Sequence, residues 1–156
     1  MKQNSTAKEK SLNPQTNTRS LPQPVVTDEK LDERIITAVH AAAEKKAVDI
    51  VVLDLREIAS FTDYFIITSG TNERQVQAIS DEVYETLKKA GSTAARVEGY
   101  KTAEWILLDY GDFIVHIFEQ KSRKFYDLER LWRESKRVAL PADTAAEVSG
   151  SLRRES

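Results

Sequence analysis

The sequence has no cysteine and few histidines, and both shortages limit its chemistry. Without cysteine the chain forms neither a disulfide framework nor a thiolate metal site. Its two histidines, His40 and His116, lie too far apart in sequence to form a paired zinc-binding motif. We therefore expect no metal ion and no other cofactor.

Long apolar runs are also missing. No run approaches the roughly 20 residues that a membrane-spanning helix needs. The first residues lack the apolar stretch of a secretory signal. These shortages predict a soluble, cytoplasmic protein that does not act at a membrane.

Composition divides the 156 residues into one domain and two tails. Nearly all apolar periodicity falls within residues 28–140, a length that suits a single core. Residues 1–27 are rich in Gln, Asn, Ser, Thr and Pro. They bury too little apolar surface to offset the entropy of ordering, so we predict a disordered tail. Residues 141–156, which begin with a proline, are predicted to form a second flexible tail.

The net charge of −2 conceals a separation of charge along the chain. Residues 28–120 carry ten Lys and Arg against eighteen Asp and Glu, whereas residues 121–140 carry seven against three. An acidic body with a basic end would touch a phosphate backbone at one edge only. A solvated amphipathic helix explains the same charges, and charge alone does not decide between the two interpretations.

Residues 104–118 are the stretch around which the rest of the chain is organised. Two runs rich in branched and aromatic residues flank the turn signal Tyr-Gly-Asp at 110–112, which predicts an antiparallel hairpin. Alternation places Trp105 and Leu107 on one face of the first strand, and His116 and Phe118 on one face of the return strand. Neither strand has a polar face. We therefore expect one face to pack on helices and the other to meet something else.

The first half of the domain shows clear periodicity. Thr27 or Asp28 is predicted to cap a first helix, and residues 48–55 and 64–68 are predicted to form two buried strands. A second helix follows the pair formed by Asn72 and, three residues on, Gln75.

The second half adds a short strand at 94–98, the hairpin, and a last helix that begins at Ser122 and ends before Pro141. The predicted architecture is an α/β (α+β) domain with a mixed five-stranded sheet and helices packed on it. The apolar side of the last helix is predicted to hold Phe125, Leu128 and Leu131. Its outward residues are predicted to be Arg123, Tyr126, Arg130, Arg133 and Arg137.

The enzymatic alternative is nucleotidyl transfer. Ser-Gly at 69–70, followed later by Asp81 and Glu82, is similar to the Gly-Ser and Asp-x-Asp signature of nucleotidyltransferases. That chemistry needs carboxylates converging on two magnesium ions. Adjacent residues on a helix diverge by about 100°, and Asp109 has no second Asp two positions away. His116 has no nucleophile in an evident elbow. We expect no enzymatic activity; a nucleotidyltransferase-like enzyme or nucleotide-binding protein is the alternative.

The ordered runs at 62–71, 97–99, 105–118 and 123–132 resemble one family. The series Trp…Asp-x-Gly-Asp…Val-His…Arg…Tyr-x-Leu-Glu-x-Leu-Trp is similar to that of the Iojap family, the ribosomal silencing factors RsfS. The resemblance implies a nucleotidyltransferase-like fold without the catalytic acids. It also implies binding to the large ribosomal subunit at ribosomal protein L14. There the factor would sterically block joining of the small subunit and repress translation.

Side-chain chemistry selects the residues expected to make these contacts. Aromatic anchors dominate interfaces, and charged groups at their edges set register and specificity. The predicted partner-binding residues are Trp105, Leu107, Asp109, Asp112, His116, Arg123 and Tyr126. The residues expected near ribosomal RNA are Lys121, Lys124 and Arg130. Trp105 suits a core role equally well, and Asp112 also suits a role in the hairpin turn.

The apolar sheet face also predicts self-association. A face left uncovered away from the ribosome favours a homodimer that opens before it binds. A general RNA-binding module is a further alternative, which would need a basic sheet face with stacking aromatics. Here the sheet region is acidic.

Overall fold

The computed structural model describes residues 25–27 and 31–140, which form one mixed sheet with helices on both faces. The strands are β1 (Val25–Thr27), β2 (Val48–Asp54), β3 (Tyr64–Gly70), β4 (Arg96–Glu98), β5 (Trp105–Asp109), β6 (Phe113–Glu119) and β7 (Lys136–Ala139). Their order across the sheet is β1-β7-β2-β3-β6-β5-β4. The predicted α/β class is confirmed.

The helices are α1 (Glu33–Glu44), α2 (Glu73–Lys89), α3 (Gln120–Tyr126) and α4 (Leu128–Leu131). Helices α1 and α2 pack on one face of the sheet around Ile35, Val39 and Val83. Helix α4 lies on the other face, where Leu128 is buried. Within the described ranges, no helix is both long and apolar enough to cross a membrane.

The predicted hairpin is present, and its register fixes the two faces. Strand β5 pairs antiparallel with β6, with Leu107 opposite His116. At the turn Gly111 has a φ of 87°, a conformation that glycine adopts without steric cost. Its N–H donates to Asp109 Oδ1 over 2.8 Å. Strand β6 also pairs in parallel with β3, so the hairpin joins the sheet beside β3.

Both faces of the central strands are buried, as the apolar runs predict. Ile106 and Val115 point into the core beneath α1 and α2. Phe65, Ile67 and Phe118 point to the opposite face and form a second, smaller core. A sheet with two buried faces needs cover on both sides, and the helices do not cover the second face completely.

The part of the chain that the structure describes forms a sheet of seven strands, so the predicted count of five is wrong. Strand β1 lies within the predicted N-terminal tail and pairs in parallel with β7. Strand β7 occupies the end of the predicted last helix. The predicted last helix breaks at Asp127, because the left-handed φ of 50° at this residue ends α3. The Asp127 N–H donates to the Arg123 carbonyl. The remaining tail residues, 1–24 and 141–156, lie outside the described residues.

The helix starts were predicted with mixed success. Asn72 caps α2 by accepting from the Gln75 N–H over 2.8 Å, as predicted. Helix α1 begins later than predicted, because Asp32 rather than Thr27 or Asp28 accepts from the Arg34 N–H. Helix α3, by contrast, begins at Gln120, two residues before the predicted start at Ser122.

Candidate partner-binding surface

The sheet face opposite α1 and α2 carries a connected group of aromatic side chains, which we call the aromatic surface. Its members are Phe61, Phe65, Trp105, His116, Phe118, Tyr126 and Trp132. Centroids of neighbouring rings lie between 4.4 and 6.3 Å apart, the spacing of favourable aromatic pairs. The two ends of the group reach solvent, since Phe61 is 57% exposed and Tyr126 46%.

Trp105 is held in place by His116 from the neighbouring strand. The indole Nε1–H donates to His116 Nδ1 over 3.0 Å, so the neutral imidazole carries its own hydrogen on Nε2. Burial lowers the pKa of His116 to about 4, which keeps the ring neutral near pH 7. His116 is only 3% exposed and lies beneath the surface. The predicted contact of His116 with a partner stays a prediction; in the structure the ring lies under the surface and holds Trp105.

The other neighbours of Trp105 leave part of its ring in solvent. The indole stacks on Phe118 at 4.9 Å and lies 4.8 Å from Tyr126. Trp105 is half-buried, as is Leu107 two residues further along the same face. The core and interface interpretations of Trp105 are thus compatible, because one side of the ring packs inward and the other stays accessible.

The outer side of α3 and α4 differs from the predicted helix. Phe125 is 80% exposed and Leu131 is 69% exposed, although both were assigned to the apolar, core-facing side. The break at Asp127 changes the helical phase, so that Leu128 alone of the three is buried. Phe125 instead packs edge-on against Tyr126 at 5.0 Å and extends the aromatic surface outward.

The two acids of the hairpin turn have different roles. Asp109 accepts from the Gly111 N–H and lies 3.5 Å from Arg96. Asp112 pairs with Arg34 of α1 over 2.9 Å, and its side chain remains 70% exposed. The turn role considered for Asp112 therefore belongs to Asp109. Both carboxylates lie at the hairpin end of the sheet.

Arg123 does not point outward, contrary to the prediction. Its Nη2 pairs with Glu129 Oε2 over 2.8 Å, and its Nη1 donates to Val48 O and Ser69 Oγ, each over 3.2 Å. The side chain is only 12% exposed. Arg123 therefore ties α3 to the edges of β2 and β3. The neighbouring Lys121, Lys124 and Arg130, predicted to lie near RNA, are exposed.

Four members of the aromatic surface were absent from the predicted set: Phe61, Phe65, Phe118 and Trp132. Phe61 lies in the connection between β2 and β3, where it packs against Trp132 at 5.9 Å and Phe65 at 6.1 Å. Phe61 stands alone in its segment without periodicity, so no local signal marks it. Trp132 belongs to the motif quoted above, and that membership was the available signal.

The candidate acids for nucleotidyl transfer have structural partners. Asp81 accepts from the Tyr100 hydroxyl over 3.1 Å, and Glu82 accepts from Thr86 Oγ1 over 3.3 Å. Across 25–27 and 31–140, no group of three or more acids and histidines is arranged to hold a metal ion. The class that the fold and its surface define is an α/β domain with a partly uncovered aromatic sheet face.

Comparison with known proteins specifies this class further. A family model described as "Ribosomal silencing factor during starvation" matches residues 28–155. The chain therefore belongs to the RsfS family of ribosomal silencing factors.

Relatives and a solved structure agree with this assignment. The chain is 40% identical to the ribosomal silencing factor RsfS of Halalkalibacterium halodurans over 108 residues, 69% of this chain and 92% of that one. It is 32% identical to the mouse "Mitochondrial assembly of ribosomal large subunit protein 1" over 57% of this chain and 40% of the mouse protein. A crystal structure from Chromobacterium violaceum matches with a TM-score of 0.64 at 34% identity, covering 70% of this chain and 88% of that one.

Proposed function

We propose that this protein binds the large ribosomal subunit through ribosomal protein L14, blocks joining of the small subunit and thereby represses translation in the cytoplasm. The observation that carries the proposal is the aromatic surface, in which Trp105 of the sheet and Tyr126 of α3 remain accessible beside the second core. The names of the relatives support a role on the ribosome, and the mouse relative's name refers to its large subunit.

Trp105 and Tyr126 are suited to act as anchors. Buried aromatic residues supply much of the binding energy of protein interfaces, and most when their position is fixed beforehand. The bond to His116 and the stacking on Phe118 fix Trp105 before any partner arrives. Leu107 adds apolar area beside it.

The acids of the hairpin give the surface a charged edge. Asp112 is exposed and shares its carboxylate with Arg34, while Asp109 is partly exposed beside Arg96. Basic side chains of a ribosomal protein would meet this edge, which sets orientation and association rate more than affinity. Arg123 is excluded from direct contact by its internal bonds and acts by holding α3.

The mechanism we propose is steric exclusion. A rigid domain on the subunit-facing surface occupies space that the small subunit requires, and no bond is made or broken. To test this, purified protein is mixed with separated subunits and sedimented through a sucrose gradient. Co-migration with the large subunit and fewer joined ribosomes are expected. Absence of co-migration at micromolar protein would refute the proposal.

Removing either anchor should weaken binding without unfolding the domain. We expect Trp105→Ala or Tyr126→Ala to raise the dissociation constant for the large subunit at least about fivefold, or about 1 kcal/mol. Tyr100→Ala is the matched control, since Tyr100 is an exposed tyrosine bonded to Asp81 outside the aromatic surface. Circular dichroism checks folding. Unchanged affinity in a folded anchor variant would remove that residue from the interface.

We further propose that the free protein forms a homodimer through the aromatic surface. A partly uncovered apolar face favours a second copy when its ribosomal partner is absent. Sedimentation equilibrium at micromolar concentration is expected to show a dimer, and Leu107→Asp is expected to give a monomer because a carboxylate would enter the interface. A wild-type protein that is monomeric throughout this range would contradict the proposal.

A further inference from the structure

A cleft of about 810 Å³ opens between α3, the start of β2 and the end of β3, away from the aromatic surface. Its volume falls in the range of about 300 to 1,000 Å³ that is typical of ligand sites. Lys121, Lys124 and Arg123 of the α3 segment form one wall, and Arg137 of β7 contributes from another side. With Glu129 of α4, the cleft is built from five separate elements of the fold.

The cations of the cleft differ in how they are held. Arg123 is fixed by Glu129, Val48 and Ser69. Lys121 and Lys124 are exposed, one helical turn apart, and Arg137 is also exposed. Within the described ranges, none of these three pairs with a carboxylate. Three positive charges thus line one cleft without a partner of opposite sign, which suits a phosphate group.

Three acids line the same cleft: Glu129 is paired with Arg123, whereas Asp49 and Asp127 are held in unusual backbone conformations. Asp49 has a φ of 51° beside an irregularity in the pairing of β2, and Asp127 has a φ of 50° between α3 and α4. Left-handed conformations are costly for residues other than glycine, and they cluster at functional sites. Two carboxylates among cations suit a ligand that also offers hydroxyl donors.

We propose that this cleft binds a ribose–phosphate segment of single-stranded RNA. Lys121, Lys124 and Arg137 would contact phosphates, while Asp49 and Asp127 would accept from ribose 2′-hydroxyl groups. Among the described residues no aromatic side chain lines the cleft, so this part of the chain offers bases no stacking platform, and we expect binding that is independent of sequence. That this RNA is ribosomal RNA rests on the proposed function. A free ribose phosphate offers the same phosphate and hydroxyl groups.

The test uses the full chain and a fluorescently labelled single-stranded RNA of mixed sequence, with DNA of equal length and sequence for comparison. RNA is expected to bind at least about threefold more tightly than DNA, because only RNA carries the 2′-hydroxyl. In Lys121→Ala/Lys124→Ala, RNA affinity at low salt is expected to fall at least about tenfold. The matched control, Lys88→Ala/Lys89→Ala, removes two exposed lysines of α2 and should change affinity by less than about twofold.

Several results would overturn the proposal. Equal losses of RNA affinity in the two double variants would mean that RNA is attracted by the overall charge of the protein and not by the cleft. Equal affinity for RNA and DNA would exclude contacts from Asp49 and Asp127 to the 2′-hydroxyl groups. Direct binding of ribose 5-phosphate, measured by calorimetry, without measurable RNA binding would assign the cleft to a small sugar phosphate instead. The subunit gradient separates this inference from the proposed function. If the wild type binds RNA through the cleft but does not co-migrate with the large subunit, only the proposed function fails.

Discussion

Replacing Gly99 with alanine is expected to destabilise the domain by about 2 to 5 kcal/mol, the sum of a backbone cost and a steric clash. Gly99 follows β4 with a φ of 81°, a backbone conformation that is unfavourable for residues with a Cβ. An added Cβ would lie 2.0 Å from the Trp105 carbonyl oxygen, so the backbone must move. The displacement would loosen the pairing of β4 with β5 and shift Trp105 itself.

Urea unfolding followed by far-ultraviolet circular dichroism measures this loss. The matched control is Gly91→Ala, because Gly91 has a similar φ of 96° but an added Cβ there meets nothing within 4 Å. The control should lose only the conformational cost of about 1 kcal/mol. If the two variants lose equal free energy of unfolding, the predicted clash with Trp105 is wrong.

Acid is expected to destabilise the domain through His116, by about 3 kcal/mol between pH 6.5 and pH 4. Burial lowers the folded-state pKa of His116 from 6.5 to about 4. Above pH 6.5 the His116 ring is neutral in both the folded and the unfolded state, so its full contribution to stability is present. As pH falls below 6.5 the unfolded state takes up a proton that the folded state does not bind. Stability therefore falls until about pH 4.

The variant His116→Asn separates this effect from other titrations. Asparagine keeps a hydrogen-bond acceptor near the position of Nδ1 and does not titrate. The variant should be less stable at pH 7.5, because the ring packing is lost, but its free energy of unfolding should change less between pH 6.5 and pH 4. Hydrogen bonds from Arg34 hold the pKa of Asp32 below 3.8. The contribution of this carboxylate to stability is therefore lost mainly at lower pH. Equal pH slopes in the two proteins would contradict the assignment to His116.

The parts of the fold that local patterns determine were predictable from the sequence. The hairpin follows from alternation around Tyr-Gly-Asp, and its register places Ile106 and Trp105 on the predicted opposite faces. Helix α2 follows from its cap at Asn72 and a regular apolar stripe. These signals arise within a few residues, so tertiary contacts were not needed to read them.

The parts that depend on distant contacts were not predictable. Strand β1 forms by pairing with β7, more than a hundred residues later, and neither segment has a strong strand pattern. The break at Asp127 depends on a backbone conformation that its residue type permits but does not require. The inward course of Arg123 depends on acceptors at Val48 and Ser69, which no spacing near Arg123 reveals.

The parallel pairing of β3 with β6 affects how the chain folds as it is made. Tyr64 of β3 pairs with Phe113 of β6, about fifty residues later, across α2, β4 and β5. At about 5 to 20 residues per second, a ribosome takes roughly 2 to 10 seconds to synthesise that interval. During this time the β3 edge that will face β6 has no partner, although its residues include Ile66 and Ile67. A strand edge of this kind is prone to aggregate, so the nascent chain is exposed to aggregation until β6 has been synthesised.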